Sequence, residues 1–292
     1  MNVGVVGNPR YRDLRGLLAR LVAAAPKYGF KLCGESKIAD QWPAPVPALD
    51  GQPLDVMLTF GGDGTLLRGA RLTLPQQVPI LGINIGRVGF LATAAPDTLE
   101  DALEAVARKD YQVEPRRLLE CTIQAADGTK RPASVALNDV VVHKTGVARV
   151  IHLRVTIDDE PVGQYSADGI IVATQTGSTA YSLSAGGPVV VPGVDAVVIT
   201  AICPHTLAVR PIVAPGSASI TVEVVSPWTD EVLVSYDGQV GTTLKQKDRV
   251  LVRQAPGGIR LIRLGKEGFF ARLARKLQWG DLSDRQEPER DE

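Results

Sequence analysis

The chain has 292 residues, is 45% hydrophobic and 22% charged, and carries no formal net charge. That length and composition suit about two folded domains with a sizeable core, and exclude a fibre or a mainly disordered chain. Aromatics make up only 5%, too few for a platform that stacks single-stranded nucleic acid, and no apolar run reaches the ~18 residues needed to span a membrane.

The first hundred residues alternate between strand and helix periods. Val3, Val5 and Val6 predict a short buried strand. Leu14, Leu17, Leu18, Leu21 and Val22 then line one helix face, which Pro26 and Gly29 should end. Residues 30–33 form a possible second strand, and Pro43, Pro45, Pro47 and Pro53 mark a surface loop. An apolar strand over 54–60 runs into Gly61-Gly62-Asp63-Gly64, with a helix expected beyond it. Residues 78–83 form another buried strand, and Asp97 with Glu100 predicts a capping box for a helix through Ala107. Strands alternating with helices imply a parallel sheet covered on both faces.

The pattern changes near residue 113. Up to about 264 the chain runs in short stretches of Val, Ile and Thr. Asp127-Gly128, Asp158-Asp159, Asp237-Gly238 and Gly257-Gly258 are hairpin signals. A mostly antiparallel β domain follows. Phe269, Phe270, Leu273, Ala274 and Leu277 restore a helical period, and this helix needs a surface to bury against. The basic residues between Arg260 and Lys276 are expected to form a solvated face. The expected division is an α/β domain over 1–112, a β-rich domain over 113–264, a helix over 265–280 returning to the first domain, and a disordered tail over 281–292. That tail holds six carboxylates and two arginines, a net −4 that leaves +4 on the rest. Cys33, Cys121 and Cys203 have no metal-ligand or redox spacing, so buried thiols in a reducing cytoplasm are expected. His143, His152 and His205 also lack ligand spacing and are taken as structural.

Four stretches carry chemistry. Gly61-Gly62-Asp63-Gly64-Thr65, at a strand-to-helix turn, can aim backbone N–H groups at an anion. Its aspartate would repel a phosphate, but suits a cation or the proton of an attacking hydroxyl; the plain alternative is a turn with Asp63 as N-cap. Neither a Gly-x-Gly-x-x-Gly nor a Gly-Lys-Ser/Thr pattern is present. Residues 82–91, with three glycines around Arg87, could form a second ligand-facing loop or an ordinary one. Asn138-Asp139 interrupts an apolar strand, so it either lies at a sheet edge or faces a polar ligand. The densest stretch, Asp168 to Pro188, runs from a strand into Thr174-Gln175-Thr176-Gly177-Ser178-Thr179-Ala180-Tyr181-Ser182-Leu183-Ser184 and closes on Gly186-Gly187-Pro188. Such hydroxyls and amides can hold a ribose or a phosphate, and Tyr181 could stack on a ring.

Together with Cys203-Pro204-His205 and Ser235-Tyr236-Asp237-Gly238-Gln239, these stretches resemble the NAD kinase family over about 54–239. The resemblance implies a Rossmann-like N-terminal α/β domain and a β-sandwich-like C-terminal domain with the active site in the cleft between them. It implies transfer of the terminal phosphoryl group of ATP or polyphosphate to the 2′-hydroxyl of the adenosine ribose of NAD, giving NADP. It casts Asp63 as the catalytic proton acceptor. Gly61, Gly62, Gly64 and Thr65 would form the phosphate-donor loop. NAD would be held by Asp63, Gly64, Arg68, Asn138, Asp139, Arg149, Ser166, Asp168, Thr176, Thr179, Ala180, Tyr181, Ser182, Leu183, Ser184 and Gln239. Asp139 stands where many members carry Glu. No dedicated metal site is expected; Mg²⁺ would arrive with the donor phosphates. A homodimer or homotetramer in the cytoplasm, with no nucleic-acid or membrane partner, is expected. A lipid kinase sharing the Gly-Gly-Asp-Gly loop, or a non-catalytic NAD sensor, are the rival readings.

Overall fold

The computed structural model describes residues 1–279 except 75, 87–88, 147–149, 227–231 and 266. Two compact units emerge: 1–69 with 79–113 and 262–292, and 70–78 with 114–261.

The first unit contains β1 (Asn2–Gly7), α1 (Leu14–Tyr28), β2 (Lys31–Gly34), β3 (Val56–Phe60), most of α2 (Asp63–Thr73), β4 (Pro79–Ile83) and α3 (Leu99–Arg108). The strands run parallel in the order β2-β1-β3-β4. Every residue of β3 and β4 is buried, as strands covered on both faces must be. The core joins Val5, Leu58 and Leu81 of the sheet to Leu14, Leu18 and Leu21 of α1 and to Leu99, Leu103 and Val106 of α3. Helix α1 continues through Pro26 and stops at Gly29, whose left-handed backbone (φ 64°) lets the Gly29 and Phe30 amides close on Pro26 and Ala25 carbonyls. The expected capping box at Asp97 is replaced: Pro96–Thr98 forms a 3-10 turn, which the fixed φ of Pro96 favours, and α3 begins at Leu99.

The second unit is antiparallel. It holds β5 (Gln112–Gln124), β6 (Lys130–Ala136), β7 (Asp139–Lys144), β8 (Ile151–Ile157), β9 (Glu160–Ala167), β10 (Gly169–Thr174), the short helix α4 (Tyr181–Ser184), β11 (Ala196–Ile202), β12 (Ile212–Pro215), β13 (Ile220–Ser226), β14 (Val232–Tyr236), β15 (Gln239–Leu244) and β16 (Arg249–Arg263). One sheet has the order β12-β11-β10-β7-β14-β15, and β16-β13-β8-β9 form the second with β5 and β6. Alternation on β7 and β10 shows the layering. Val140, Val142, Ile170 and Val172 face a core shared with Leu153, Val155, Ile220 and Val222, while Val141, Ile171 and Ala173 pack into a second cluster with Val190 and Val198.

Three of the four hairpin signals are turns, each with positive φ: Gly128, Asp158-Asp159 and Asp237-Gly238. Gly257-Gly258 is not a hairpin, because β16 runs straight through it. Gly257 bends at φ 94°, and a Cβ on Gly258 would stand 2.3 Å from the Arg116 carbonyl. The glycines there permit close approach of two backbones rather than chain reversal. Helix α5 (Phe269–Leu277) belongs to the first unit. The expected solvated face fails at Arg272, which is only 5% exposed. Cys203 also departs from expectation: Cys33 and Cys121 are buried, but Cys203 is exposed.

Candidate active site

In the first unit, β3 ends where its ladder hands over to a turn. The Gly61 amide donates to the Ile83 carbonyl at 3.0 Å. A Cβ at Gly61 would lie 2.2 Å from Thr65 Oγ1, so glycine alone lets Thr65 tuck beneath the turn. Helix α2 starts at Asp63. Its first amides have no acceptor within the helix, and its dipole favours negative charge at this end.

The Asp63 carboxylate is held from across the turn. Oδ2 accepts the Phe90 amide at 2.9 Å and Oδ1 the Leu91 amide at 3.2 Å. Gly89 makes this possible, since a Cβ there would stand 2.1 Å from Oδ1. Each carboxylate oxygen keeps a lone pair for a further donor. The loop over 82–91 therefore serves Asp63 through its backbone; Arg87 and Val88 lie outside the described residues. Arg68, one turn along α2, is engaged by Glu35 at 2.9 and 3.0 Å and by the Gly7 carbonyl at 2.6 Å.

In the second unit, Asn138 and Asp139 sit where β7 begins, beside the end of β10. The Asn138 carbonyl accepts the Thr174 amide at 2.8 Å, and Thr174 Oγ1 donates to the Leu137 carbonyl at 2.6 Å. Gly177 packs so closely that a Cβ would fall 2.0 Å from the Asn138 carbonyl oxygen. Asp237, at the β14–β15 turn, organises this corner. It accepts the amides of Leu137, Asn138 and Asp139 at 3.1, 2.7 and 3.3 Å and pairs with Arg71 at 2.9 Å. Arg71 also donates to the Tyr236 carbonyl at 3.2 Å and to Gln239 Oε1, so Gln239 joins the same corner. Asp139 is 3% exposed, and burial together with the Asp237 charge pushes its pKa up to about 7.

The hydroxyl-rich loop divides into structural and available groups. Ser178 donates to the Gln175 carbonyl at 2.7 Å and accepts the Val190 amide at 3.0 Å. Ser182 meets Thr200 at 2.9 Å, and Thr179 donates to the Thr176 carbonyl at 3.2 Å. Arg116 reaches Thr176 Oγ1 at 3.4 Å. Ala180 gives its amide to the Gly177 carbonyl, and its own carbonyl receives the Leu183 and Ser184 amides. Tyr181 is 46% exposed. Burial raises its pKa first, and the charges of Cys203, Asp139 and Asp168 add to the rise. Asp168 pairs with Lys144 at 2.6 Å, and Ser166 meets His152 Nδ1 at 2.9 Å. Arg149 lies outside the described residues. Sequence patterning does not single out Glu35, Arg71 or Asp237 as site-building residues; the available signal is the Asp237-Gly238 turn, a hairpin candidate that also lies within the Ser235–Gln239 stretch of the family resemblance.

A glycine turn that presents a clamped carboxylate at a helix start, in a chain that also carries a hydroxyl-lined loop at a strand end, defines a kinase of the Gly-Gly-Asp-Gly class. The ATP-NAD kinase N-terminal domain family matches residues 15–111, and the ATP-NAD kinase C-terminal domain family matches 137–264. An NAD kinase of Gemmatimonas aurantiaca is 46% identical over 98% of this chain and 98% of its own. One of Heliobacterium modesticaldum is 44% identical over 84% and 87%. Among solved structures, yeast NADH kinase complexed with NADH matches with a TM-score of 0.88 at 25% identity, over 96% of this chain and 88% of that one. An NAD kinase from Archaeoglobus fulgidus in complex with ATP matches at 0.74 and 26% identity, over 95% and 99%. The chain belongs to the NAD kinase family, and its reaction is the phosphorylation of NAD to NADP.

Proposed function

We propose that this reaction moves the terminal phosphoryl group of ATP, or of polyphosphate, to the 2′-hydroxyl of the adenosine ribose, with Asp63 orienting that hydroxyl. The observation that carries the reading is the Asp63 carboxylate, fixed by two amides at the start of α2 with lone pairs still open. The ATP and NADH complexes of the structural neighbours support the two substrate classes.

In the transfer, the bond from the 2′-oxygen to the terminal phosphorus forms as the bond to the bridging oxygen breaks. The electron pair of that bond leaves with the shortened donor, and the hydroxyl proton passes to Asp63. Such a transition state is loose, so positioning and charge neutralisation matter more than covalent help. In the donor loop, Gly62 and Gly64 would offer amides to the phosphates, while Gly61 and Thr65, whose amides are taken by the Ile83 and Gly62 carbonyls, would shape the turn. A general-base contribution of ~10²–10⁴-fold is expected from Asp63.

The remaining roles belong to the same proposal and follow the family resemblance. Asn138 and Asp139 would hold ribose hydroxyls; a protonated Asp139 can donate as well as accept. Tyr181 would stack on a ring of the dinucleotide. Thr176, Thr179 to Ser184, Ser166, Asp168 and Gln239 would line it, with Arg68 near the phosphates and Arg149, outside the described residues, expected to face the ligand. Among the described residues no three His, Cys, Asp or Glu side chains gather as metal ligands. Mg²⁺ would be carried on the phosphate oxygens of the donor, where it would neutralise their charge. No described helix is long and apolar enough to cross a membrane, and a cytoplasmic homo-oligomer is part of this reading.

The test is a coupled assay with NAD, donor and Mg²⁺, reading NADP through an NADP-specific dehydrogenase. Turnover that collapses in Asp63→Asn while NAD affinity holds supports the assignment. Loss of NAD binding with undiminished chemistry in the residual complex overturns it. Running ATP and polyphosphate side by side fixes the donor.

A further inference from the structure

We infer that Arg272 of α5 is a positioning residue for the phosphoryl transfer, acting through the Phe90–Leu91 peptide on Asp63. The inference rests on the reading of Asp63 as the residue that orients the hydroxyl.

Arg272 is buried in a basic stretch that patterning alone assigns to solvent. Its Nη1 donates to the Phe90 carbonyl at 3.2 Å. Its Nη2 donates to the Glu267 carbonyl at 3.3 Å, and its Nε faces the Glu267 carboxylate at 3.6 Å, which fixes the plane of the guanidinium. The Phe90 carbonyl and the Leu91 amide belong to one planar trans peptide, so they point in opposite directions. Arg272 holds the oxygen of that peptide, and Asp63 receives its N–H at 3.2 Å. The plate is gripped at both ends. Turning it over would break two charge-assisted hydrogen bonds and aim a carbonyl oxygen at the carboxylate.

Two further basic side chains grip the same short stretch. Arg263 reaches the Leu91 carbonyl at 3.4 Å. The Lys276 ammonium lies 3.9 Å from the centre of the Phe90 ring. Burial lowers the Lys276 pKa while the Asp63 charge pulls it back up, so the ammonium stands within the field of the carboxylate. The C-terminal segment thus sets the orientation of the Leu91 amide, one of the two that fix Asp63, and grips the residues on either side of it. A helix buried only for stability would need none of these polar contacts to a single loop.

The experiment is a double-mutant cycle between Arg272→Gln and Asp63→Asn, with Arg272→Lys as the conservative variant. In the otherwise native chain, Arg272→Gln should lower kcat about tenfold or more while KM for NAD stays within about twofold. In the Asp63→Asn background the same change should cost less than about twofold, because its effect has already been lost. Arg272→Lys keeps the charge and should fall between. Equal losses in both backgrounds, or an effect on KM alone, would overturn the inference. An Asp63→Asn variant with native kcat would overturn the reading beneath it instead. Amide hydrogen exchange supplies a readout independent of turnover. Faster exchange at Leu91 in Arg272→Gln, with α5 still protected, supports the inference; unchanged exchange at Leu91, or exposure of all of α5, sinks it. Should Arg272→Gln fail to fold, Arg272→Lys carries both measurements.

Discussion

The Asp237 carboxylate accepts the backbone amide of Asp139 at 3.3 Å, yet its charge bears on the Asp139 side chain, where burial first and that charge second push the pKa up to about 7. Asp237 has its own cation in Arg71, 2.9 Å away. One carboxylate is ion-paired, while the other keeps a share of its proton near neutral pH.

This raised pKa sets the pH dependence of stability. Between about pH 4 and pH 7 the folded state keeps a proton on Asp139 that the unfolded chain releases. Stability therefore falls as pH rises through that window and stays lower above it. Asp139→Asn cannot ionise. It should melt several degrees above the native chain at pH 8, with the advantage vanishing toward pH 4, while NAD affinity weakens. Thermal melts across pH 4–9 check the sign; an advantage at pH 4 that disappears at pH 8 would refute it.

Gly89→Ala would drive a methyl group into the Asp63 carboxylate. Displacing an orienting group by about 1 Å costs on the order of 10²-fold in rate. The expected result is a kcat loss near that size with NAD binding retained, measured by steady-state kinetics and calorimetry.

Arg71→Met leaves Asp237 buried with its three amides and no cation. A loss of ~1–3 kcal/mol is expected from an uncompensated buried charge. Because the amides of Asn138 and Asp139 hang on Asp237, KM for NAD should rise along with the drop in the denaturation midpoint. A stability loss with KM unchanged would separate Asp237 from the ligand.

At Gly177 the neighbour is backbone rather than a yielding side chain, since the Asn138 carbonyl would stand 2.0 Å from a new Cβ. Gly177→Ala should destabilise by ~1–3 kcal/mol or more and weaken NAD binding. Serine would do no better, which a paired melt and titration would show.

Much of this was legible from residues close in sequence. The turns at Gly128, Asp158-Asp159 and Asp237-Gly238 are local chemistry, because Gly and Asp adopt positive φ more readily than most residues. The apolar stretches around Asn138-Asp139 and after Asp168 announced strands, and the glycines around Asp63 announced a strand-to-helix turn. Groups whose meaning depends on distant partners were not legible. Arg71 meets Asp237 across 166 positions, and Arg272 meets Phe90 across 182. Gly257-Gly258 has the composition of a hairpin, and only the Arg116 backbone beside it explains why the strand continues. Arg272 shows the same limit from the other side: a charged residue at helical spacing resembles a surface residue until a buried carbonyl is found opposite it.

Asn138 and Asp139, proposed to hold the ribose, stand at the start of β7 beside the end of β10, and these are the two central strands of a sheet that has packed side chains above and below. Their anchorage is thus the part of the β unit with the least room for partial loosening. Ligand recognition there cannot fade gradually as denaturant is added. It should persist at full strength until the sandwich comes apart, so that NAD affinity and the β unit share one cooperative midpoint.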